Sequence, residues 1–301
     1  MVNIDIISGF LGAGKTTFAN MLLRHYLARG LRPVYVGNEF GETGLDAELI
    51  ASDGFGAVNI EGGCICCAMK GSVADTIAGV IERYSPTNIV FEPSGVFVFD
   101  DFRETLDQPA LKARCRLENV ITVVDSVNFR FALAYYGGFI HNQIRNSPVI
   151  LLSKLEKKRA DIEGLLCDIR NINSGALIYE KEFSLWNEGD YEAVLGKNNA
   201  LPTAEHHGRH HGHDQLDSLT IKLTGQWTAE KAGKLAAAIR AGQFGDVYRA
   251  KGVLKLGDGF TLVNTAGGDV TFSKLLGVFE PGITFIGRTI KRGAIADFMA
   301  Q

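Results

Sequence analysis

Residues 9–17 of the chain read Gly-Phe-Leu-Gly-Ala-Gly-Lys-Thr-Thr, which matches the phosphate-binding pattern G-x-x-x-x-G-K-[ST]. The apolar, β-branched stretch 2–8 before it predicts a buried strand, and the helical spacing of apolar residues in 17–29 predicts a helix. A strand, a glycine-rich turn and a helix in this order place consecutive backbone N–H groups around a phosphate. The sequence therefore predicts a nucleoside triphosphate site at residues 9–17.

Three polar residues are expected to have catalytic roles: Lys15 and Thr16 in this loop, and Glu92 further along the chain. Lys15 is expected to reach the β- and γ-phosphates, and the hydroxyl of Thr16 is expected to ligate Mg²⁺. Glu92 ends a predicted strand, where acidic residues lie over the nucleotide crevice of an α/β sheet, so it is expected to hold Mg²⁺ directly or through water. The Gly95 N–H that follows is expected to sense the γ-phosphate.

The apolar stretch 148–152 ends at Ser153-Lys154-Leu155-Glu156, where GTPases carry N-K-x-D. In that motif the carboxylate accepts two hydrogen bonds from guanine while the lysine stem lies along the base. Glu156 is one methylene longer than Asp and Ser153 lacks an amide, so we expect guanine to be preferred with weakened strictness. The alternative is a polar strand end. The expected nucleotide-binding residues are Gly9, Gly12, Ala13, Gly14, Lys15, Thr16, Thr17, Gly95, Ser153, Lys154 and Glu156.

Strands alternate with helices through the first two thirds of the chain, which predicts an α/β fold with a doubly wound, mainly parallel sheet of the P-loop NTPase type. The predicted strands are 2–8, 32–36, 57–60, 88–91, 119–124, 148–152 and 176–179, with helices at 17–29, 72–84 and 157–171. A smaller α+β domain with a largely antiparallel sheet is expected from 216. Its predicted elements are strand 218–223, helix 228–241, strands 247–254, 260–265, 270–273 and 283–286, and helix 288–299. We expect domains at 1–197 and 216–301, joined by a linker at 198–215.

Four side-chain placements in the second domain are also expected. Trp227 and Phe244 are expected in the core, because large aromatic residues are mostly buried. Arg249 and Lys251 lie on a predicted strand, where a solvated face is the default expectation.

The composition is that of an ordinary globular protein, with 301 residues, 46% hydrophobic and 22% charged. A net charge of −3 predicts no general attraction to nucleic acid or membranes, and no apolar run approaches the length of a membrane span. Because the chain begins directly with a strand, we expect a cytoplasmic protein in a reducing compartment. Clustered thiols there indicate metal or redox chemistry.

The sequence has five cysteines, and three of them fall within one four-residue span: Cys64, Cys66 and Cys67. This span lies in a predicted loop that begins with two glycines. Three thiolates in one turn can bind Zn²⁺ or a similar ion and leave a fourth position for an incoming ligand. Such an open site favours metal exchange. Two alternatives remain, namely buried cysteines acting as small hydrophobic residues and an oxidation sensor.

Two further segments carry candidate metal ligands. The Gly-, Asp- and Glu-rich stretch 38–56, which includes Glu42, predicts a long functional loop, with an acidic surface loop as the alternative. The linker concentrates five of the seven histidines. Imidazoles at this density offer adaptable metal sites, and an inert linker is the alternative. These histidines are His206, His207, His210, His211 and His213.

Together these motifs resemble the CobW-type GTPases, relatives of the GTPases that insert nickel into urease and hydrogenase. The resemblance rests on motifs 9–17, 38–46, 63–67, 92–95, 142–144, 153–156 and 248–252 and on the His-rich linker. It implies a GTP-dependent metallochaperone or insertase that binds Zn²⁺, Co²⁺ or Ni²⁺ and hands it to a client protein. Gly37 departs from the pattern, since relatives often carry an acidic residue there, and this puts one further metal ligand in doubt.

The cysteine loop lies between two segments that can respond to a γ-phosphate, so we expect GTP and metal occupancy to be coupled. Because no arginine finger or hydrolytic glutamine is evident, intrinsic turnover is expected to be slow without a partner. A homodimer that forms in a nucleotide-dependent way is a further alternative for the partner. The competing classes are a metal buffer or sensor with regulatory nucleotide binding, and a P-loop kinase.

Overall fold

The computed structural model describes residues 1–37, 47, 50–51, 54–60, 70–95, 99–157, 161–196, 217–266 and 269–300. Contacts divide the described chain into two units, one up to residue 196 and one from residue 217. The linker boundaries at 198 and 215 lie outside the described residues and remain predictions.

The first unit is built on a parallel sheet of the strands β1 to β7, in the order β3-β2-β4-β1-β5-β6-β7. The strands are β1 (Val2–Ser8), β2 (Pro33–Gly37), β3 (Gly56–Asn59), β4 (Asn88–Glu92), β5 (Cys115–Asp125), β6 (Val149–Ser153) and β7 (Leu177–Tyr179). The helices are α1 (Lys15–Ala28), α2 (Lys70–Tyr84), α3 (Phe99–Leu106), α4 (Pro109–Lys112), α5 (Phe129–Arg145), α6 (Ile162–Ile172) and α7 (Glu188–Val194). This is the doubly wound parallel arrangement that the sequence predicts.

Strand β1 is central in the sheet and contributes apolar side chains to both of its faces. Ile4 and Ile6 pack into a core with Val73 and Ile77 of α2, whereas Ile7 packs into a second core with Phe18 and Leu22 of α1. Successive residues of a strand point to opposite faces, so one short stretch supports both helical layers. The loop after β1 consequently emerges at the middle of the carboxyl edge of the sheet, where ligands of such folds bind.

The second unit is an antiparallel sheet with helices, in the strand order β11-β10-β9-β12-β8. Its elements are β8 (Asp217–Lys222), α8 (Ala229–Arg240), β9 (Gly245–Leu256), β10 (Gly259–Ala266), β11 (Asp269–Leu275), β12 (Gly282–Ile290) and α9 (Arg292–Ala300). Trp227 and Phe244 are buried in its core, as expected. The predicted α+β class of this domain is confirmed.

Several predicted placements are wrong. Arg249 and Lys251 are buried rather than solvated. They lie in the central strand β9, and Lys251 is in register between Asn264 and Thr284 of the neighbouring strands. The closing helix begins at Arg292, because the strand β12 continues to Ile290.

Helices and loops account for the remaining differences. The helix predicted from 157 begins at Ile162, where Asp161 caps it by accepting from the Gly164 N–H at 3.0 Å. Ala47 and Ile50, inside the predicted loop 38–56, are buried in the core beside Phe18. The helices α3, α4, α5 and α7 are absent from the sequence prediction. In α5 the pair Gly137-Gly138 interrupts the apolar periodicity on which such a prediction depends.

Candidate functional site

The phosphate loop joins β1 to α1 and has the backbone geometry that its glycines permit. Gly9 has a φ of 140°, and a Cβ there would lie 2.3 Å from the carbonyl oxygen of Val123, so only glycine fits. The helix begins directly at Lys15, after Gly14 in the left-handed region. Lys15 is buried, and its Nζ donates to the carbonyl of Phe10 at 3.3 Å, across the loop. A positive charge and a helix N-terminus therefore lie together at this loop.

The predicted Mg²⁺ ligands lie in direct contact. The Thr16 hydroxyl donates to Oε1 of Glu92 at 3.0 Å, joining the first turn of α1 to the end of β4. The other carboxylate oxygen, Oε2, accepts from the hydroxyl of Tyr35 at 2.9 Å. Glu92 and Tyr35 are buried. A hydroxyl and a carboxylate oxygen side by side are the hard oxygen donors that Mg²⁺ prefers, so these residues fit that ion.

Gly95 lies against the phosphate loop, as its expected role requires. A Cβ on Gly95 would be 2.6 Å from the backbone nitrogen of Leu11, so a larger residue would push the two segments apart. The carbonyl of Gly95 accepts from Nε2 of Gln143 at 3.0 Å, and Asn142 accepts from the Phe99 N–H at 2.9 Å. The two neighbouring amides of α5 thus hold the segment after β4. The sequence motif 142–144 had offered no role for them.

The predicted base-recognition residues lie on the other side of the loop. The hydroxyl of Ser153 donates to the carbonyl of Ala13 at 2.6 Å and ties β6 to the phosphate loop. Nζ of Lys154 pairs with Asp125 at 2.5 Å, with Lys154 in the left-handed region at a φ of 60°. Glu156 follows at an exposed position. Ser153, at the position of the Asn in N-K-x-D, therefore links β6 to the phosphate loop.

Asp125 is a site residue that motif reasoning did not identify. Its Oδ1 accepts from the backbone N–H groups of Val127 and Asn128 at 2.9 and 3.1 Å, and its Oδ2 accepts from the Asn128 amide at 2.9 Å. The carboxylate thus fixes the turn after β5 and the Lys154 ammonium at once. Asp125 directly follows an apolar stretch, and this position in the sequence could have indicated a site residue at the end of a strand.

The candidate transition-metal ligands cannot be placed. Glu42, Cys64, Cys66, Cys67 and the five linker histidines lie outside the described residues. Within the described ranges, no three His, Cys, Asp or Glu side chains converge as a metal site. No helix of the described chain is long and apolar enough to cross a membrane. The transition-metal site remains a prediction from sequence.

The parallel sheet and the loop around Lys15 define the chain as a P-loop nucleotide-binding protein. Its residues 3–180 match the family model described as "CobW/HypB/UreG, nucleotide-binding domain". The chain belongs to this family. The resemblance found in the motifs is thereby confirmed.

Individual relatives differ in how much they share with the chain. The zinc chaperone CobW of Sinorhizobium sp is 34% identical over 128 residues, which cover 40% of this chain and 36% of that protein. The zinc chaperone YeiR of Escherichia coli is 24% identical over 291 residues, which cover 90% of this chain and 88% of the YeiR sequence. The crystal structure of Zn(II)-bound YjiA GTPase from E. coli covers 99% of this chain and 98% of its own at 18% identity, with a TM-score of 0.44. The match thus spans about a third of the CobW sequences and most of YeiR.

Proposed function

We propose that the chain is a GTP-hydrolysing metallochaperone that takes up a transition metal ion as cargo and transfers it to a client protein. The observation that carries the proposal is the contact between Thr16 and Glu92 beside the phosphate loop, because it joins the oxygen donors that a nucleotide-bound Mg²⁺ needs. The relatives named zinc chaperones make zinc the first choice of cargo, with cobalt and nickel as alternatives.

The expected roles follow from this site. Lys15 and the backbone amides from Gly12 to Thr17 bind the phosphates, while Thr16 and Glu92 hold Mg²⁺, which when bound offsets the charge on the β- and γ-phosphates. Tyr35 orients Glu92. Ser153 and Lys154 fix the base side of the site, and Glu156 supplies a carboxylate for guanine.

Coupling between nucleotide and cargo is supported by the order of the strands. Asn59, Gly37 and Glu92 lie in one row at the carboxyl edge of β3, β2 and β4. Two strand spacings separate β3 from β4, which is about 10 Å. The cysteine segment leaves β3 immediately afterwards in the sequence, so it begins near the residues that contact the γ-phosphate in this proposal.

Phosphate release from GTP tests the enzymatic part. The Lys15→Ala variant is expected to lose activity about a hundredfold, the usual scale for removing one charge-stabilising group. Lys112→Ala is the matched control, because Lys112 is exposed and its ion pair with Asp107 is long at 3.8 Å. Equal loss in both variants, or no loss in Lys15→Ala, contradicts the proposal.

Zinc titration in the presence of GDP or a non-hydrolysable GTP analogue tests the cargo part. Zinc affinity is expected to differ between the two nucleotide states, and by reciprocity zinc must change the GTP affinity by the same factor. The variant with Cys66→Ser and Cys67→Ser is expected to lose zinc while retaining GTP binding. Identical zinc affinities in both nucleotide states would instead favour a metal buffer.

A further inference from the structure

One face of the helix α5 contacts two segments that are expected to bind phosphate. Tyr136 is buried, and the centroid of its ring lies 5.0 Å from that of Phe10 in the phosphate loop. Seven residues further on, Gln143 is also buried, and its Nε2 donates to the carbonyl oxygen of Gly95 at 3.0 Å. Residues seven apart lie on the same face of a helix. The helix therefore touches the phosphate loop and the segment after β4 at once.

The side chain of Gln143 is held in place by neighbouring elements. The Thr122 hydroxyl of β5 donates to the main-chain carbonyl of Gln143 at 3.1 Å, and both residues are buried. Asn142 makes a second contact with the segment after β4, because its Oδ1 accepts from the Phe99 N–H at 2.9 Å. A buried amide without an acceptor is costly. The hydrogen bond from Gln143 therefore favours one position of the Gly95 carbonyl.

Gly95 is placed so that its two backbone groups can serve different partners. A Cβ on this residue would lie 2.6 Å from the backbone nitrogen of Leu11, so Gly95 packs directly against the phosphate loop. Its N–H is expected to donate to the γ-phosphate, and its carbonyl is the group that Gln143 holds. Because both groups belong to one residue, fixing the carbonyl limits the directions in which the N–H can point.

We propose that Gln143, assisted by Asn142, is a positioning residue through which the site distinguishes GTP from GDP. By holding the Gly95 carbonyl, Gln143 keeps the Gly95 N–H directed at the γ-phosphate, which GDP lacks. A donor that is already in place adds affinity because little conformational freedom is lost when the ligand binds. The inference rests on the proposed nucleotide site and adds a determinant of its response to the γ-phosphate.

The test is the dissociation constant of GDP divided by that of a non-hydrolysable GTP analogue, measured on the full chain with Mg²⁺ present. Gln143→Met keeps a side chain of similar length and removes the donor. This variant is expected to bind the analogue about fivefold to tenfold more weakly, the scale of one hydrogen bond, while its GDP affinity stays unchanged. The ratio therefore falls. A merely structural role would weaken both nucleotides alike and leave the ratio as it is in wild type.

Two other variants complete the design. Thr122→Val is the matched control, because it removes a buried hydrogen bond to the same Gln143 without removing the contact with Gly95. Its ratio is expected to equal that of wild type. Asn142→Ala removes the other contact with the segment, at a half-buried helical position where alanine is favourable. Its ratio is expected to fall as in Gln143→Met, and it replaces that variant if Gln143→Met does not fold.

The outcomes separate the inference from the function on which it rests. If wild type binds both nucleotides but Gln143→Met, or Asn142→Ala in its place, leaves the ratio unchanged, the positioning role is overturned while the nucleotide site stands. An equal fall of the ratio in Thr122→Val also overturns it, because the effect then comes from the placement of the whole helix. If neither nucleotide binds the wild-type chain, the proposed function fails together with the inference.

Discussion

The ring of Tyr35 occupies the space that a side chain at Gly37 would need. A Cβ on Gly37 would lie 2.8 Å from Cε1 and 3.0 Å from the hydroxyl oxygen of Tyr35. Gly37 pairs in register with Glu92, and the same Tyr35 hydroxyl donates to Glu92 at 2.9 Å. The missing side chain at position 37 and the orientation of Glu92 are therefore linked through one aromatic ring. The glycine at position 37, which departs from the family pattern, thus leaves room for the Tyr35 ring that contacts Glu92.

Gly37→Ala is expected to lower the free energy of unfolding by about 1–3 kcal/mol, because overpacking forces the buried Tyr35 ring away from Glu92. Urea denaturation measures the change. Gly79→Ala on the exposed face of α2 is the control, since no atom of the described residues outside its own helical turn lies within 4 Å of its Cβ, and it is expected to stabilise the helix slightly. Equal effects of the two substitutions would contradict the steric argument. In a double-mutant cycle, Tyr35→Phe and Gly37→Ala are expected to be less than additive.

Tyr35→Phe is expected to raise the Mg²⁺ concentration for half-maximal GTP hydrolysis by about tenfold, the lower end for losing a group that orients a metal ligand. The ring still fills its space, so the effect should appear in Mg²⁺ dependence more than in stability. Tyr26→Phe is the matched control, because its buried hydroxyl also donates to a carboxylate, Asp5, at 2.9 Å but away from the phosphate loop. An unchanged Mg²⁺ dependence in Tyr35→Phe would show that Glu92 needs no such support.

The central strands and the phosphate loop were predictable because their signals are local. An apolar β-branched run forms a strand wherever it is buried, and the loop 9–17 needs only its own backbone and its glycines. Ser153 was found for the same reason, since it directly follows such a run. Its actual partner, the carbonyl of Ala13, is 140 residues away in the sequence.

Tyr35 could not have been found from the sequence, because its role depends on a contact between strands. In the sequence, Tyr35 is one of several residues of an apolar strand. Only the pairing of β2 with β4 shows that its hydroxyl contacts Glu92. Lys251 was misjudged likewise, because burial within a sheet depends on the neighbouring strands. Pairwise register is not encoded in a local pattern.

Asp5 is expected to make stability depend on pH. It is fully buried in β1, and burial raises its pKa to about 6 despite hydrogen bonds from Asn119, Tyr26 and Asn88. An acid whose pKa is raised in the folded state contributes stability below its unfolded pKa, and this is lost as pH rises through the folded value. The unfolding free energy of wild type relative to Asp5→Asn is therefore expected to fall by about 2 kcal/mol between pH 4 and pH 8.

The control for this pH dependence is Asp190→Asn. The Lys181 ammonium, the Tyr179 hydroxyl and the Asn187 N–H lower the pKa of Asp190 to about 2, so this carboxyl is ionised in the folded and unfolded states above pH 5. The difference between wild type and Asp190→Asn is therefore expected to stay constant from pH 5 to pH 8. A constant difference for Asp5→Asn over the same range would show that its carboxyl ionises normally.

Ser153→Ala is expected to weaken nucleotide binding, because its hydroxyl joins β6 to the phosphate loop through the carbonyl of Ala13. Ser147→Ala is a close control, since that buried hydroxyl also donates to a backbone carbonyl, that of Val149 at 2.7 Å, before β6 begins. Each substitution removes a buried hydrogen bond, so both are expected to lower the unfolding free energy by about 1–3 kcal/mol. Only Ser153→Ala is expected to raise the dissociation constant of GDP, by several-fold, in fluorescence titrations with labelled nucleotide. If both substitutions weaken GDP binding equally, Ser153 acts only through the overall stability of the protein. If only Ser153→Ala weakens GDP binding, the hydrogen bond from Ser153 to the phosphate loop contributes to the affinity for GDP.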